Sequence, residues 1–112
     1  MNIYREKDAV HLVLKGEMSF YNVTILKERI FKFIKPEDKV IIVDLSKVNF
    51  MDSAGLGLLI SLVKRMKSQG GKLIVEYPQL GVQKLIEMTR LDQLMEVRKT
   101  SEPTTGSWSE FK

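Results

Sequence analysis

Four consecutive β-formers, Val40-Ile41-Ile42-Val43, run without a polar residue and are followed within ten positions by Asp52-Ser53-Ala54-Gly55-Leu56-Gly57-Leu58 and an apolar periodic stretch. An unbroken β-branched run reads as a central strand covered on both faces, and the small polar group after it as the start of a helix. A strand, a loop and a helix in this order define one half of a βαβ unit. The rest of the chain repeats the alternation.

Residues 2 to 5 and 9 to 15 are two short β-rich runs separated by Glu6-Lys7-Asp8, the pattern of a hairpin, with Gly16 ending the second run. After a connector over 17 to 21, Val23, Leu26, Ile30, Phe33 and Ile34 recur at helical spacing, with Asn22 as N-cap and Pro36 as terminator. The central strand spans 39 to 45 and a loop covers 46 to 51. The helix that follows reaches about Ser68, burying Leu56, Leu59, Ile60, Val63 and Met66, and Gly70-Gly71 stops it. A strand over 72 to 76, a helix over 80 to 89, and a docking turn with a marginal strand around Leu91 to Val97 complete the order. These elements predict an α/β domain with a mixed, mostly parallel sheet of four to five strands, an N-terminal β-hairpin and three to four helices. Residues 1 to 98 form this domain, and residues 99 to 112 a polar, mobile tail in which only Trp108 and Phe111 can pack.

Composition removes most catalytic chemistry. There is no cysteine and one histidine, so disulfides, thiolate metal sites, cysteine nucleophiles and multi-imidazole sites are excluded. The 18 basic residues are interleaved with 14 acidic ones, and no basic stripe of the kind that binds nucleic acid stands out. The uncharged stretch from 53 to 63 has 11 residues, short of the roughly 20 that a membrane span needs. The N-terminus meets charge at once, and a cytoplasmic protein is expected.

The polar groups gather in one place, with Asp44, Asn49, Asp52 and Ser53 at the edge where strands give way to helices, the usual ligand and partner edge of parallel sheets. A hydrolytic triad lacks its base, since His11 lies mid-strand. Gly55-Leu56-Gly57 is only a fragment of a dinucleotide loop, and Asp44 with Asp52 lacks the further acidic pair of a magnesium site. No cofactor and no metal are expected. Asp52 or Ser53 serves as helix cap on the plainest reading. Two glycines in the first turn are costly in a helix unless something approaches closely. Leu58 falls outside the arc of the other apolar residues. Together these describe a bare helix start with an exposed leucine, a docking surface.

The run Val43-Asp44-Leu45-Ser46-Lys47-Val48-Asn49-Phe50-Met51-Asp52-Ser53-Ala54-Gly55-Leu56-Gly57, with the Gly16-Glu17 turn and Gly70-Gly71-Lys72-Leu73, resembles the STAS domain, especially the bacterial anti-sigma factor antagonists, over about residues 2 to 98. The resemblance implies a STAS fold and a partner switch. Ser53 would be phosphorylated by an anti-sigma factor that is also a serine kinase. The unphosphorylated protein would bind that partner and free a sigma factor, and a phosphoserine phosphatase would reset the switch. Asp52, Ser53, Ala54, Gly55, Gly57, Leu58, Asn49 and Ser19 would form the partner-binding surface, of a monomer or weak dimer without enzymatic activity. This chain carries Met18-Ser19-Phe20 where the family often has an acidic residue, which leaves Ser19 to hydrogen-bond across the site. The alternative is a STAS module in a stressosome-like or transport-associated assembly, holding a partner, nucleotide or lipid, with Ser53 only a cap. A small enzyme using Asp44 or Asp52 is the third and weakest reading.

Overall fold

Lys7 and Asp8 both adopt left-handed backbone conformations, φ 52° and 65°, and close a two-residue hairpin between β1 (Asn2–Glu6) and β2 (Ala9–Met18). Positive φ at both central residues gives a turn whose twist matches that of the strands it joins. In the computed structural model, which describes residues 1–99, the chain continues through α1 (Val23–Phe33), β3 (Val40–Met51), α2 (Ser53–Ser68), β4 (Lys72–Glu76), α3 (Leu80–Met88), a 3-10 turn (Leu91–Gln93) and β5 (Glu96–Arg98). The expected tail lies outside the described residues from position 100 onward.

The five strands lie side by side in chain order, β1 antiparallel to β2 and every later pair parallel. This is the mixed sheet expected, with three helices and one 3-10 turn. Each crossover steps to the next strand in the same direction, so right-handed connections put all three helices on one face. Val10, Leu12 and Leu14 of β2, Ile41, Val43 and Leu45 of β3, and Leu73 and Val75 of β4 form the floor of the core, which Ile30, Leu59, Leu62, Met66 and Ile86 cover from the helices. The intervening residues point the other way. Register aligns Tyr4, His11, Ile42, Ile74 and Glu96 in one row across the opposite face.

That arrangement corrects the reading of β3 as covered on both faces. Val40 and Ile42 are only partly buried, while Ile41, Val43 and Leu45 are fully so. The uniform apolar run concealed a one-sided sheet.

Two further corrections concern the sheet's upper end. β2 does not stop at Gly16, and residues 46 to 51 are not a loop: Lys15 pairs with Lys47, Gly16 with Val48, Glu17 with Phe50 and Met18 with Met51. Two register irregularities interrupt this pairing. Ser46-Lys47 and Asn49-Phe50 are each consecutive exposed pairs, so the period-two alternation breaks where the sheet bulges. The extension carries the end of β3 directly to the start of α2.

Leu58 is buried, at 1% exposure, and so is Leu62. α2 touches β3 and β4 on one side and α1 on another, so its apolar arc is wider than a sheet alone requires and takes in Leu58. The exposed leucine expected at this position is therefore absent. At the opposite end of the sheet Arg5 forks onto Asp38 (Nε to Oδ1 2.9 Å, Nη2 to Oδ2 2.7 Å) and lies 4.6 Å above the Phe33 ring, tying edge strand β1 to the turn after α1.

Candidate functional site

The end of β3 delivers Asp52 to the N-cap of α2. Its Oδ1 accepts from the backbone N–H groups of Ala54 (2.8 Å) and Gly55 (3.2 Å), two of the donors a helix start leaves free. Its Oδ2 accepts from the Phe20 N–H at 3.0 Å, and its own N–H donates to the Met18 carbonyl at 3.3 Å. One carboxylate therefore caps α2 and fastens the β2–α1 loop to it. The Phe20 N–H foremost, then those of the helix start, hold this carboxyl below the usual carboxylate pKa against the opposing effect of burial.

With Asp52 as the cap, Ser53 is free of that duty. It is the first residue of α2, exposed, and its hydroxyl makes no hydrogen bond among the described residues. The backbone there carries the positive end of the helix dipole. Ala54 and Gly57 flank Ser53, partly exposed, and a Cβ at Gly57 would meet nothing within 4 Å. Gly55 differs: a Cβ there would lie 2.5 Å from the Met18 carbonyl oxygen and 2.6 Å from Met51 Cγ. Gly55 is buried against its own protein and presents no surface to a partner. Its close neighbour is β2.

Ser19 is buried at 2% exposure. Its hydroxyl donates to Glu17 Oε1 (2.7 Å) and accepts from the Tyr21 N–H (3.2 Å), while its carbonyl takes the N–H groups of Asn22 and Val23 at the start of α1. It builds the loop and does not reach across to Ser53. Asn22 stands at the N-cap of α1, but its side chain folds back: Oδ1 accepts from Ser19 N and Nδ2 donates to the Glu17 carbonyl.

The polar cluster read from the sequence divides in two. Asn49, Asp52 and Ser53 share the upper edge. Asp44 sits in the body of β3, paired with Val13 and Glu76, and accepts from the Ser46 N–H at 2.8 Å. Asp52 lies eight positions further along the chain, about 26 Å at the strand rise. The two carboxylates cannot share a cation, and among the described residues no group of three metal-ligating side chains occurs.

Sequence reading missed the apolar rim. Phe20 and Tyr21, packed edge to face with centroids 5.9 Å apart, are 77% and 86% exposed on the loop that Asp52 holds. Phe50, two residues before the cap, is 51% exposed, and Leu80 at the start of α3 is 66% exposed. Asn49, Phe50 and Met51 line a cleft of about 220 Å³ with Gln79, Gly81 and Val82, where Gln79 Nε2 bridges to the Ser46 carbonyl at 2.9 Å. Exposed aromatics this close together mark an interaction surface. The available signal was an aromatic pair between a strand and a helix.

At this edge a one-sided α/β sheet presents, at a helix start, a serine that takes no part in the cap, beside exposed aromatics. The chain matches the STAS domain family over residues 1–103 and belongs to it. It is 31% identical over 87 residues to the anti-sigma-B factor antagonist of Staphylococcus aureus, covering 78% of this chain and 81% of that protein. The crystal structure of a candidate anti-sigma factor antagonist from Thermotoga maritima, 25% identical, superposes with a TM-score of 0.82 over 95% of this chain and 92% of that one. The phosphorylated form of the Bacillus cell fate determinant SpoIIAA shares the fold, with a TM-score of 0.69 at 22% identity over 95% of this chain and 96% of that one. Among the described residues no helix is long and apolar enough to cross a membrane.

Proposed function

We propose that this protein is an anti-sigma factor antagonist switched by phosphorylation of Ser53. The observation that carries the reading is the division of labour at the helix start, where Asp52 does the capping and leaves the Ser53 hydroxyl exposed and without a hydrogen-bond partner among the described residues. A serine needed as a cap would be withdrawn from a kinase. This one is offered to it. The partner is an anti-sigma factor with serine kinase activity, bound through Ser53, Ala54, Gly57, Asn49 and the apolar rim. A phosphoserine phosphatase reverses the modification. The protein acts as a regulator in the cytoplasm, a monomer or weak dimer, with no catalysis, cofactor or nucleic acid of its own, through a domain over residues 1–98.

Electrostatics supply the switch. Phosphorylation adds about −1.5 to −2 charges and three acceptor oxygens. The Ala54 and Gly55 N–H groups that could neutralise it within the protein are already held by the Asp52 carboxylate. The new charge is therefore repelled by Asp52 and faces the partner, where it breaks a packed apolar contact. The unmodified surface binds and the modified one is released.

The test is intact-mass spectrometry and pull-down after incubation with ATP and the serine-kinase anti-sigma factors of the same genome. Gain of one phosphate in wild type but not Ser53→Ala, retained binding by Ser53→Ala and weakened binding by Ser53→Asp are expected. Equal affinity of all three forms for every such partner overturns the reading and returns the chain to a scaffold or transport-associated role.

A further inference from the structure

Folding gathers cations that the sequence spreads out. Helices α1 and α2, which touch each other, carry Lys27, Arg29, Lys32, Lys64, Arg65 and Lys67 against one carboxylate, Glu28, in a chain whose whole net charge is +4. Among the described residues every ion pair lies elsewhere, at Arg5–Asp38 or among β4, β5, α3 and Lys99. The seam between the two helices holds part of this charge in place. Lys27 Nζ and Arg65 Cζ each stand 5.5 Å from the centroid of the Phe31 ring, so one cation from each helix rests on a single aromatic of α1. Arg65 is half-buried and fixed by two neutral acceptors, its Nε donating to Gln69 Oε1 (2.9 Å) and its Nη2 to the Ile34 carbonyl (3.3 Å). Its Nη1 makes no hydrogen bond among the described residues, and Lys64 beside it is exposed. A guanidinium held without a counter-charge is a prepared receptor for a carboxylate, because its planar fork loses little freedom when it binds.

We propose that Lys27, Lys64 and Arg65 form a second contact for the serine kinase that targets Ser53, and that they receive an acidic segment of that kinase. This contact rests on the reading of Ser53 as the kinase's target and adds to it the chemistry of the partner's surface. One partner can reach both places. Eleven residues bring Lys64 back to within about 20° of Ser53 round α2 and about 16 Å along it, inside the footprint of an interface of about 800 Å² per partner. At that separation, beyond a Debye length of about 8 Å, a phosphate on Ser53 leaves the cations unneutralised. Encounter and release then fall to different groups: the cations draw the kinase in, and Ser53 decides how long it stays. Glu28 favours a protein over a uniformly anionic partner. It is exposed one position from Lys27, where a phosphodiester backbone or an anionic membrane would meet it with like charge, whereas a protein can leave it to solvent or set a cation opposite. The Phe31 ring is occupied by the protein's own cations and offers no platform for a base. Ile25, the exposed apolar side chain of α1, lies about 120° round the helix from Phe31, so no apolar wedge accompanies these cations into a lipid surface.

The experiment measures association and dissociation rates of the full chain with each serine-kinase anti-sigma factor of the same genome, at about 0.05 M and about 0.5 M salt. The forms compared are wild type, Lys27→Gln with Lys64→Gln, and a matched control, Lys15→Gln with Lys84→Gln, which removes the same charge from other elements; all four lysines are exposed, and far-UV circular dichroism checks the fold. For wild type and control the on-rate should fall about ten-fold or more as salt rises. The Lys27/Lys64 variant should show the slow on-rate at both salts, with its off-rate little changed, and should still gain the phosphate on Ser53. Adding Ser53→Asp should raise the off-rate in every form. A wild-type on-rate indifferent to salt overturns the contact, as does an equal loss in the control, since net charge and not this seam is then responsible. Either result leaves the Ser53 reading standing, provided Ser53→Asp still speeds release. Absence of binding to every such kinase overturns both. Duplex DNA or phosphatidylglycerol vesicles binding as tightly as the kinase, and losing that binding in the Lys27/Lys64 variant, also overturns the contact, because the occupant is then a polyanion.

Discussion

Gly55 and Gly57 are two residues apart on one helix, yet alanine at each should move stability in opposite directions. At Gly55 the added Cβ would sit 2.5 Å from the Met18 carbonyl oxygen and 2.6 Å from Met51 Cγ. The methionine side chain can yield, but the carbonyl cannot easily do so, because it belongs to β2 and accepts the Asp52 N–H. Relief requires lifting the start of α2 off the sheet. Overpacking of this kind costs about 1–3 kcal/mol, and a backbone obstacle puts Gly55→Ala near the upper end, about 3 kcal/mol. Helix propensity returns about 1 kcal/mol, for a net loss of about 2 kcal/mol. At Gly57 a Cβ meets nothing within 4 Å and φ is not positive, so only the propensity gain of about 1 kcal/mol remains. The variants should differ by about 3 kcal/mol. In urea unfolding with m about 1.5 kcal/mol/M their midpoints should stand about 2 M apart, with wild type between them. Coincident midpoints, or Gly57→Ala below wild type, would refute the account of why these glycines are there.

Three other outcomes follow from the same geometry. Leu58→Ala should lower stability by about 3 kcal/mol in the same assay, as for a fully buried leucine, whereas an exposed leucine would give a change near zero. Asp38 and Asp52 both have carboxyls held below their ordinary pKa, by the Arg5 guanidinium first in one case and by the Phe20 N–H first in the other. A depressed folded-state pKa contributes stability above the unfolded carboxylate value, about 3.9, that is lost as pH falls through the lower folded value. Urea midpoints measured from pH 6 down to pH 2 should therefore fall below about pH 4, and Asp38→Asn should fall less steeply; equal slopes would remove Asp38 from the explanation. Asp52→Ala should release the β2–α1 loop, seen as faster hydrogen exchange at the Phe20 amide with the β2–β3 ladder still protected, and uniform exchange across both would count against the latch.

Local pattern was enough for the order of elements. Helical spacing in Val23 to Ile34, the Gly70-Gly71 stop and the hairpin breaks are all short-range facts, because turns and periodicity are set by neighbouring residues. The motif ending in Asp52-Ser53 located the upper edge for the same reason. What it left open was which residue caps and which is offered, since aspartate and serine are both good caps and only the chain folded back from β2 decides between them. The Phe20 N–H, brought from 32 residues away, is what engages the second oxygen of Asp52.

Burial was the quantity least readable in one dimension. Val40-Ile41-Ile42-Val43 is equally apolar at every position, yet the helices cover only one face of it, because crossover handedness and strand order send all three to the same side. Leu58 lies off the arc that a sheet alone would bury, and it is enclosed because α1 supplies a second wall. Phe20 and Tyr21 on the β2–α1 loop and Phe50 at the upper end of β3 are large aromatic residues, and they stand in solvent because no other segment among the described residues packs over that edge. Local pattern was sufficient for the kind and order of the elements and for the position of Ser53. Which faces of those elements are inside came from the fold, because a side chain's exposure depends on what other segments of the chain are packed against it.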